Sequence, residues 1–349
     1  MIFGNLKVAR LAYRLYFRRA TFMTRILCAW RLLKNRLFGI RAPISVMIGV
    51  TYRCQCGCVY CGMNLYQVDA EVELSTEEIK TVIEQARELG VVEITLFGGE
   101  PLLRDDLDEI VAFASSASML PSIDTNGLLL TPERVESLMN ARLSAVKVSM
   151  DSPEAGEHDR MRGVAGCFDQ AVSGIRCCVE RGLPCVISTY ASRENIRSGD
   201  LRRVIELGKS LGVDAVRIID TTLSGCLLAE KHKKLSPEDR RELASMLEPG
   251  LVFLENLASA RALTHPVCSA VARRYIYVSP NGDVQPCCFV PLSAGNVRED
   301  PLNTILARLW NSPVMSYDPG RCLMNNHKFR GHYLPRIEAA DSLPVALEE

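Results

Sequence analysis

The sequence has no net charge, few aromatic residues and no long hydrophobic run. Lys and Arg number 41, Asp and Glu also number 41, and aromatic residues make up 6% of the 349 positions. The longest stretch without a charged residue, Cys54 to Val68, is shorter than the roughly 20 apolar residues that cross a bilayer. These absences exclude a membrane-spanning helix. A hydrophobic content of 48% in turn excludes a disordered chain.

Acidic residues are missing from the start of the chain. Residues 1–42 contain ten Lys and Arg side chains, and the first carboxylate is Asp69. Since 41 − 10 leaves 31 basic residues against 41 acidic ones, the remainder carries a formal charge of −10. We therefore predict a basic arm over residues 1–42. No short apolar core precedes a small-residue cleavage site, so we expect no secretory signal and a reducing, cytoplasmic location.

The arm has the periodicity of an amphipathic helix. Basic side chains recur every three or four residues, at Lys7, Arg10, Arg14 and Arg18. Apolar side chains lie between them, at Leu6, Leu11, Tyr13, Leu15 and Phe17. One interpretation is a helix packed on the body with solvated arginines. The other is a helix on an anionic membrane surface, which would place the protein at the inner face of the membrane. No nucleic-acid partner is expected, because no nucleic-acid module follows.

From residue 44 onward, β-rich runs alternate with helical stretches at the spacing of roughly 30 residues that is typical of βαβ units. The predicted strands are Ile44–Val50, Val92–Phe97, Ser122–Thr125, Ala145–Met150, Cys185–Thr189 and Ala215–Ile219. Helices are predicted near 106–116, 132–140, 167–181, 200–211 and 236–247, and Ser75 with Glu78 forms a capping box before another. Six units do not close a full barrel. The predicted fold class is α/β, a partial (β/α)6 TIM-like barrel over residues 43–235.

Three of the fourteen cysteines form the strongest signal. Cys54, Cys58 and Cys61 have the spacing C-x3-C-x2-C in the loop after the first predicted strand. Three thiolates on one loop can hold three irons of a [4Fe–4S] cubane and leave the fourth iron open. Zinc is the alternative metal, with Cys56 recruited as a fourth ligand. We expect six further cysteines in or beside apolar segments to be small buried residues, namely Cys28, Cys167, Cys177, Cys178, Cys185 and Cys226.

A second motif, Gly98-Gly99-Glu100-Pro101, follows the second predicted strand. Together with the cysteine loop it resembles the radical S-adenosylmethionine (SAM) superfamily over residues 44–220. Tyr60 fits the family loop, whereas Gln55 and Cys56 depart from it. The resemblance implies a [4Fe–4S] cluster that binds SAM and cleaves it reductively to a 5′-deoxyadenosyl radical. That radical abstracts a hydrogen atom from the substrate.

The resemblance also implies which residues contact SAM. Gly98 and Gly99 would let the backbone approach its methionyl end, and Glu100 would take up its amino group. The remaining cofactor-binding candidates are Asn126, Ser149, Arg162 and Ser188.

One run resembles a motif of the peptide-modifying and cofactor-maturing branch. Ser149-Met150-Asp151 and the later Asp159-Arg160-Met161-Arg162-Gly163 resemble S-x-D-G…D-x-x-R-G, with Ser152 in place of the glycine. Ser149 is the candidate for the ribose of SAM. Asp151 is the one candidate catalytic residue, and it either contacts the substrate or makes a structural bond.

The C-terminal cysteines indicate a second iron–sulfur site. Cys268, Gly282 and Cys287 have the spacing C-x13-G-x4-C, which resembles the opening of SPASM and twitch auxiliary-cluster domains. We expect at most one auxiliary cluster, ligated by Cys268, Cys287 and Cys322. Cys288 or an outside group would be its fourth ligand, and a unit without any cluster is the alternative.

This cysteine-bearing extension is predicted to contain a β-hairpin. Tyr275–Val278 and Val284–Phe289 flank the turn Pro280-Asn281-Gly282-Asp283. The predicted auxiliary domain covers residues 236–333. A tail with little sequence pattern, residues 334–349, follows it.

The substrate is the least determined feature. The basic arm favours a membrane-associated lipid or isoprenoid, ahead of peptide crosslinking or maturation and of tetrapyrrole or sugar oxidation. The barrel begins at residue 44, which leaves no room upstream for a leader-peptide recognition domain. The non-enzyme alternative, an iron–sulfur electron carrier or a zinc-stabilised scaffold, leaves the Gly-Gly-Glu-Pro turn unexplained. The expected electron donor is a flavodoxin or a ferredoxin.

Overall fold

The computed structural model describes residues 6–39, 42–64, 66, 72–255 and 267–347. Parts of the predicted arm, 1–5 and 40–41, and of the predicted tail, 348–349, lie outside the described residues. The described residues form two compact units. The first unit contains 6–19, 54–61 and 123–255, and the second contains 20–39, 42–53, 62–64, 66, 72–122 and 267–347. The domain boundaries at residues 42, 235 and 333 stay predictions.

Short strands and helices alternate along most of the described chain. The strands are β1 Ser45–Thr51, β2 Glu93–Gly98, β3 Leu120–Thr125, β4 Ala145–Ser149, β5 Cys185–Ala191, β6 Ala215–Asp220, β7 Val252–Leu254, β8 Tyr275–Val278, β9 Val284–Gln285, β10 Leu292–Ser293 and β11 Val345–Ala346. The helices are α1 Leu6–Ala12, α2 Phe22–Leu37, α3 Thr76–Glu88, α4 Leu107–Ser116, α5 Pro132–Asn140, α6 Ala155–Arg162, α7 Cys167–Glu180, α8 Arg193–Ser198, α9 Asp200–Leu211, α10 Pro237–Ser245, α11 Leu302–Asn311 and α12 His327–Ala339. A π-helical turn, Tyr13–Phe17, continues α1.

Parallel strands build the first unit, in the order β7-β6-β5-β4. Val146 of β4 pairs with Cys185 of β5, and Val186 of β5 pairs with Ala215 of β6. These three strands are almost entirely buried, as expected for a parallel sheet that helices cover. Their carboxyl ends share one edge of the sheet, where the loops of such folds carry function.

Strand β1 is central in the second unit. Strands β2 and β8 both pair with it in parallel, so that Ser45 lies opposite both Glu93 and Tyr275. Strand β9 pairs with β8 in antiparallel orientation, which confirms the predicted hairpin. Its second strand ends at Gln285 rather than at Phe289, because Pro286 has no backbone donor to continue the ladder.

The six predicted barrel strands are all present as β1–β6. Strand β3 begins in the second unit, where the Leu120 N–H donates to the Val92 carbonyl (2.9 Å), and ends in the first unit next to β4. Two parallel strand pairings were not predicted, that of β7 with β6 and that of β8 with β1. With only three residues, β7 is too short to show a strand pattern in the sequence. Helix α12 and strand β11 occupy much of the predicted patternless tail.

The apolar side chains of α1 and the following π-helical turn pack against the first unit. Leu11 and Leu15 are only 1% and 2% exposed. Both belong to one apolar cluster with Val186, Ala215 and Phe253. The packed-helix interpretation is therefore correct for this segment, and these two leucines offer no face to a membrane surface.

Arg14 and Arg18 of this segment are exposed, as the packed-helix interpretation predicts, and their guanidinium groups also bond to the first unit. One Arg14 nitrogen donates to the carbonyls of Asp214 and Gly250, at 3.0 Å each. Arg18 donates to the Gly182 carbonyl (3.0 Å) and pairs with the Asp214 carboxylate (3.5 Å). Gly182 and Asp214 follow the C-termini of α7 and α9, where unpaired carbonyls attract cations.

Helix α2 belongs to the second unit and is capped at its start by Thr21, whose side chain accepts from the Thr24 N–H (3.0 Å). Its buried residues are Thr24 and Cys28. None of the described helices combines the length and the apolar content that crossing a bilayer requires.

Leu11→Ala and Leu15→Ala should each lower the free energy of unfolding by about 2–5 kcal/mol, because each removes a buried side chain and leaves a cavity. Leu6→Ala is the matched control: Leu6 is 66% exposed, so a change within about 0.5 kcal/mol is expected. Urea unfolding followed by circular dichroism measures all three variants. Equal, small losses at the three positions would contradict the packing of this segment.

Candidate active site

The cysteine loop follows β1 and belongs to the first unit. Cys54 is exposed, and Cys58 and Cys61 are half-buried. The loop turns on itself through a hydrogen bond from the Cys61 N–H to the Cys58 carbonyl (3.1 Å). At its start, the Cys56 N–H donates to the Cys54 sulfur (3.4 Å). The three predicted iron ligands thus lie on one short, irregular and accessible segment.

The C-terminal end of α6 fixes the middle of this loop. The N–H groups of Gly57 and Val59 donate to the carbonyls of Arg162 (2.9 Å) and Met161 (3.0 Å). Gly163 ends α6 with φ +70°, and a Cβ atom there would lie 3.0 Å from the Gly57 carbonyl oxygen. A glycine is needed at this position for both its backbone conformation and its close approach to the loop.

Arg162 brings a positive charge to one cysteine. Its guanidinium pairs with the Asp151 carboxylate and donates to the Cys58 sulfur (3.6 Å), while it lies 5.6 Å from the centre of the Tyr60 ring. A hydrogen bond with Cys56 and the charge of Arg162 lower the pKa of the Cys58 thiol to about 6, although burial opposes them. Cys58 is thereby favoured as a thiolate, the form that binds metal.

Asp151 is enclosed by protein groups. Besides Arg162, the Tyr60 hydroxyl and the Tyr190 N–H (3.3 Å) donate to its carboxylate. Its own N–H donates to the His158 ring (3.2 Å). The carboxylate is buried and serves several donors at once, which favours the structural interpretation of this candidate catalytic residue over contact with a substrate.

Tyr60 and Tyr190 form a flat aromatic stack beside the cysteine loop. Their ring centroids are 4.5 Å apart, with an angle of 1° between the planes. Tyr190 lies in β5, so the stack holds the cysteine loop against this strand. Neither tyrosine was predicted to pack there, and only Tyr60 had been noted in the sequence.

Asn126, predicted to bind the cofactor, contacts the cysteine loop, and its contact with SAM stays a prediction. Its amide nitrogen donates to Gln55 (3.2 Å) and to the sulfur of Cys56 (3.4 Å), and lies 4.0 Å from the Cys54 sulfur. Its amide oxygen accepts from the Leu128 N–H (2.9 Å). Asn126 therefore holds the first half of the loop against the end of β3.

Ser149 and Ser188 lie opposite each other on β4 and β5. The Ser188 hydroxyl accepts two hydrogen bonds from Arg217 of β6 (2.8 and 3.1 Å). This bonding gives Ser188 a protein partner where a contact with SAM was predicted. Ser149 is half-buried, and its contact with the ribose of SAM stays a prediction.

Strands β3, β4 and β6 carry a buried group of charged residues that was not predicted from the sequence. The Asp124 carboxylate lies between Lys147 (3.2 Å) and Arg217 (2.6 Å). Burial raises the pKa of Asp124, but the charges of Arg217 and Lys147 outweigh that effect and lower it. In the sequence, this group is indicated by Lys147 and Arg217, which are charged residues within the largely apolar strands β4 and β6.

The Gly98-Gly99-Glu100 turn lies in the second unit, against the end of β1. Cβ atoms on Gly98 and Gly99 would lie 2.1 and 2.2 Å from the carbonyl oxygens of Thr51 and Arg53. The Gly99 N–H also donates to the Thr51 carbonyl (2.7 Å). Because glycine has no side chain, the backbone at the end of β1 can pack directly against this turn. This packing alone explains why both positions are glycine, whether or not SAM approaches them.

Glu100 is fully buried at the end of this turn. Its N–H donates to the Arg53 carbonyl (2.8 Å), and its carboxylate accepts from the Leu102 N–H (3.1 Å). The carboxylate thus caps the short 3₁₀ turn Pro101–Leu103. Its contact with the amino group of SAM stays a prediction.

The C-terminal cysteines lie in the second unit. The Cys268 N–H donates to the Pro319 carbonyl (2.6 Å), which joins this cysteine to the segment that precedes Cys322. The thiols of Cys287 and Cys288 form a hydrogen bond, and this bond and burial raise the pKa of Cys287 well above its usual range. Cys288 was the candidate fourth ligand, and the structure places it directly beside Cys287.

Of the six cysteines predicted to be buried, five are buried and Cys226 is exposed. Cys226 lies beside the cysteine loop: its N–H donates to the Cys61 carbonyl (2.9 Å), and its thiol to the Cys58 carbonyl (3.7 Å). The chain there forms a short 3₁₀ turn, which the sequence analysis did not identify.

The donor set of the loop fits an iron–sulfur cluster. It offers three thiols, two peptide groups anchored on α6 and a guanidinium at one sulfur, the kind of hydrogen bond that adjusts cluster potentials. Among the residues that the structure describes, no three Cys, His, Asp or Glu side chains converge on a position for a single metal ion.

Family models match two parts of the chain. Residues 48–207 match the radical SAM superfamily, and residues 268–334 match SPASM, an iron–sulfur cluster-binding domain. Both matches include predicted iron ligands.

Several characterised proteins are similar in sequence or structure. The PqqA peptide cyclase of Methylocella silvestris is 30% identical over 286 residues, which cover 78% of this chain and 76% of the cyclase. The AdoMet-dependent heme synthase of Methanosarcina barkeri is 29% identical over 293 residues, 76% of this chain and 82% of the synthase. Streptococcus suis SuiB bound to precursor peptide SuiA has a similar structure, with a TM-score of 0.65, 17% identity and coverage of 92% of this chain and 79% of SuiB. This likeness confirms the predicted α/β partial barrel.

The iron content should separate the two cysteine groups. Wild-type protein reconstituted without oxygen should bind about eight irons, and the Cys54→Ala/Cys58→Ala/Cys61→Ala variant about four, counting four per cubane. Cys226→Ala is the matched control beside the loop and should keep about eight. Absence of iron from the triple variant would contradict an auxiliary cluster, and iron loss in the control would add Cys226 to the ligands.

Asp151→Asn should lower the free energy of unfolding by about 3–5 kcal/mol, because it leaves the Arg162 charge buried without its partner. Glu157→Gln is the control, since it breaks the exposed pair with Arg160, which contributes about 0–1 kcal/mol. Urea unfolding of the protein as purified measures both. An Asp151→Asn variant of wild-type stability that loses activity would instead assign Asp151 to the substrate.

Proposed function

The chain belongs to the radical SAM superfamily and carries its SPASM iron–sulfur domain, and on this premise we propose that it is a radical SAM enzyme that modifies a peptide. The observation that carries the proposal is its similarity to peptide cyclases along three quarters of both chains. The superfamily and its SPASM domain imply [4Fe–4S] clusters and SAM as cofactors.

The cysteine loop and its neighbours would serve the radical-forming cofactor. Cys54, Cys58 and Cys61 would ligate the cluster, and Arg162 would hold Cys58 as a thiolate. When bound, the cluster and SAM supply the radical that takes a hydrogen atom from the substrate. The contribution of the protein is to fix the loop on β3, β4 and α6, so that the reacting groups keep one geometry.

The auxiliary domain would bind the second cluster. Cys268, Cys287 and Cys322 are its proposed ligands, and Cys288, hydrogen-bonded to Cys287, is the nearest candidate for the fourth. A fully ligated cluster at this site would accept or pass on electrons. A flavodoxin or ferredoxin stays the proposed external donor.

A peptide now replaces the lipid or isoprenoid as the favoured substrate. The lipid interpretation was based on an apolar face of the arm, and Leu11 and Leu15 of that face are buried against the first unit. The relatives include several peptide cyclases.

Tetrapyrrole oxidation is the second candidate function. It is supported by the AdoMet-dependent heme synthase of M. barkeri, which matches this chain at 29% identity over most of both lengths. A porphyrin and a peptide differ enough in size and shape that one assay can distinguish them.

The test pairs the reconstituted enzyme, SAM and a reductant with each short peptide encoded beside its gene. We expect 5′-deoxyadenosine together with a peptide that has lost two hydrogen atoms, as in formation of a new intramolecular bond. The Cys58→Ala variant should give neither product, because it removes a proposed cluster ligand. If deoxyadenosine forms while every peptide stays unchanged, and a porphyrin is oxidised, the tetrapyrrole function replaces the peptide function.

A further inference from the structure

Helix α2 is amphipathic in the reverse sense of an ordinary surface helix. Such a helix normally turns its apolar side chains toward the protein and its polar side chains toward water. The side of α2 that faces the second unit carries Thr24, Cys28, Arg31 and Asn35. Three of these four residues are polar.

Hydrogen bonds attach this polar side to the second unit. The Arg31 guanidinium donates to the carbonyls of Ser118 (2.8 Å) and Ala117 (3.2 Å). The Cys28 thiol also donates to Ser118 (3.7 Å), and the Asn35 amide donates to Gly90 (3.4 Å). The orientation of α2 is therefore specified by directional bonds, and its apolar side has to point outward.

The outward side is a continuous apolar stripe. Its residues, 45–76% exposed, are Phe22, Met23, Ile26, Trp30, Leu33 and Leu37, and Phe38, also exposed, directly follows the helix. Successive intervals of four, four, three and four residues from Phe22 to Leu37 keep the stripe on one helix face. Single exposed apolar side chains are ordinary, but seven on one short segment indicate an interaction surface.

Basic residues border the stripe on both sides. At 100° per residue, Lys34 falls on one margin of the stripe, and Arg25 and Arg36 fall on the other. No acidic residue occurs anywhere before Asp69. The charged residues of α2 itself are therefore all basic, and Arg25, Lys34 and Arg36 among them lie beside its apolar stripe.

The geometry points to an anionic lipid bilayer as the partner of the α2 stripe. The helix is about 24 Å long at 1.5 Å per residue, and one straight face can enter a planar interface along that length. Trp30 and the phenylalanines suit the boundary of the acyl chains, and Lys34 and Arg36 can extend to anionic head groups. A second copy of α2 is a poorer match, because an isologous contact would bring like charges together.

This surface differs from the one considered in the sequence analysis. There the apolar residues were Leu6, Leu11, Tyr13, Leu15 and Phe17, which all precede α2, and Leu11 and Leu15 among them are buried. The α2 stripe is on another helix, and the proposal is independent of whether the substrate is a peptide.

Sedimentation of the full chain with vesicles tests the proposal. Phosphatidylcholine vesicles that contain phosphatidylglycerol should bind the protein at least tenfold more tightly than phosphatidylcholine alone. Binding should decline at 1 M salt, where the Debye length is only about 3 Å. Equal binding to both vesicle types, or to neither, overturns the proposal.

Two variants and one control locate the surface. Ile26→Gln/Trp30→Gln/Leu33→Gln should weaken vesicle binding about tenfold or more, because three apolar side chains no longer enter the interface. Lys34→Gln/Arg36→Gln should lower the ratio of binding to anionic vesicles over binding to neutral vesicles about tenfold. Leu6→Gln/Tyr13→Gln, which alters exposed apolar residues outside α2, should leave binding unchanged.

Circular dichroism and analytical ultracentrifugation complete the test. All variants should keep the wild-type helix content, so that lost binding reports the surface rather than unfolding. Equal losses in the control overturn the assignment to α2. A wild-type dimer that the triple variant dissociates, together with no vesicle binding, would assign the stripe to a second copy instead.

Discussion

The ion pair between Arg162 and Asp151 is the interaction on which the cysteine loop depends. Asp151 follows β4 and Arg162 ends α6, so the pair fixes the helix at the carboxyl edge of the sheet. From there, Arg162 reaches the loop twice, through its carbonyl to Gly57 and through its guanidinium to Cys58. Burying two charges costs several kcal/mol, and the donors around Asp151 offset that cost. One buried pair thereby helps to hold the loop that carries the three predicted iron ligands.

The sequence predicted elements whose signals are local. The Ser75 capping box and the regular spacing of strands β1–β6 depend only on neighbouring residues, and both are present. The orientation of the N-terminal helices was not predictable in the same way. Periodicity shows that a helix has two different faces, but which face packs depends on partners far along the chain. For α2 the decisive partners are carbonyls such as that of Ser118, which no pattern in residues 22–37 reveals.

The same distinction between local signals and contacts with distant residues applies to the candidate site. The spacing of Cys54, Cys58 and Cys61 is a local signal, and together with the Gly-Gly-Glu-Pro motif it predicted the family. Ser188 was predicted to contact the cofactor because of its place at a strand end, and that contact stays a prediction. Its bond with Arg217 was not predicted, because it follows from the register of β5 against β6. Strand register arises from the whole sheet, and a motif cannot contain it. The same is true of Gly98 and Gly99, because their close contact is with the backbone at the end of β1, which the local motif does not reveal.

The parallel pairing of β8 with β1 has a consequence for biosynthesis. Strand β1 leaves the ribosome early, whereas its partner β8 is synthesised more than two hundred residues later. At about 5–20 residues per second, the interval between them is about 10–45 s. During that time one edge of β1 is an unpaired strand, and the cysteines that follow it are attached to an incomplete unit. Chaperones, or delivery of iron only after chain release, would protect this nascent edge from mispairing and its thiols from premature oxidation.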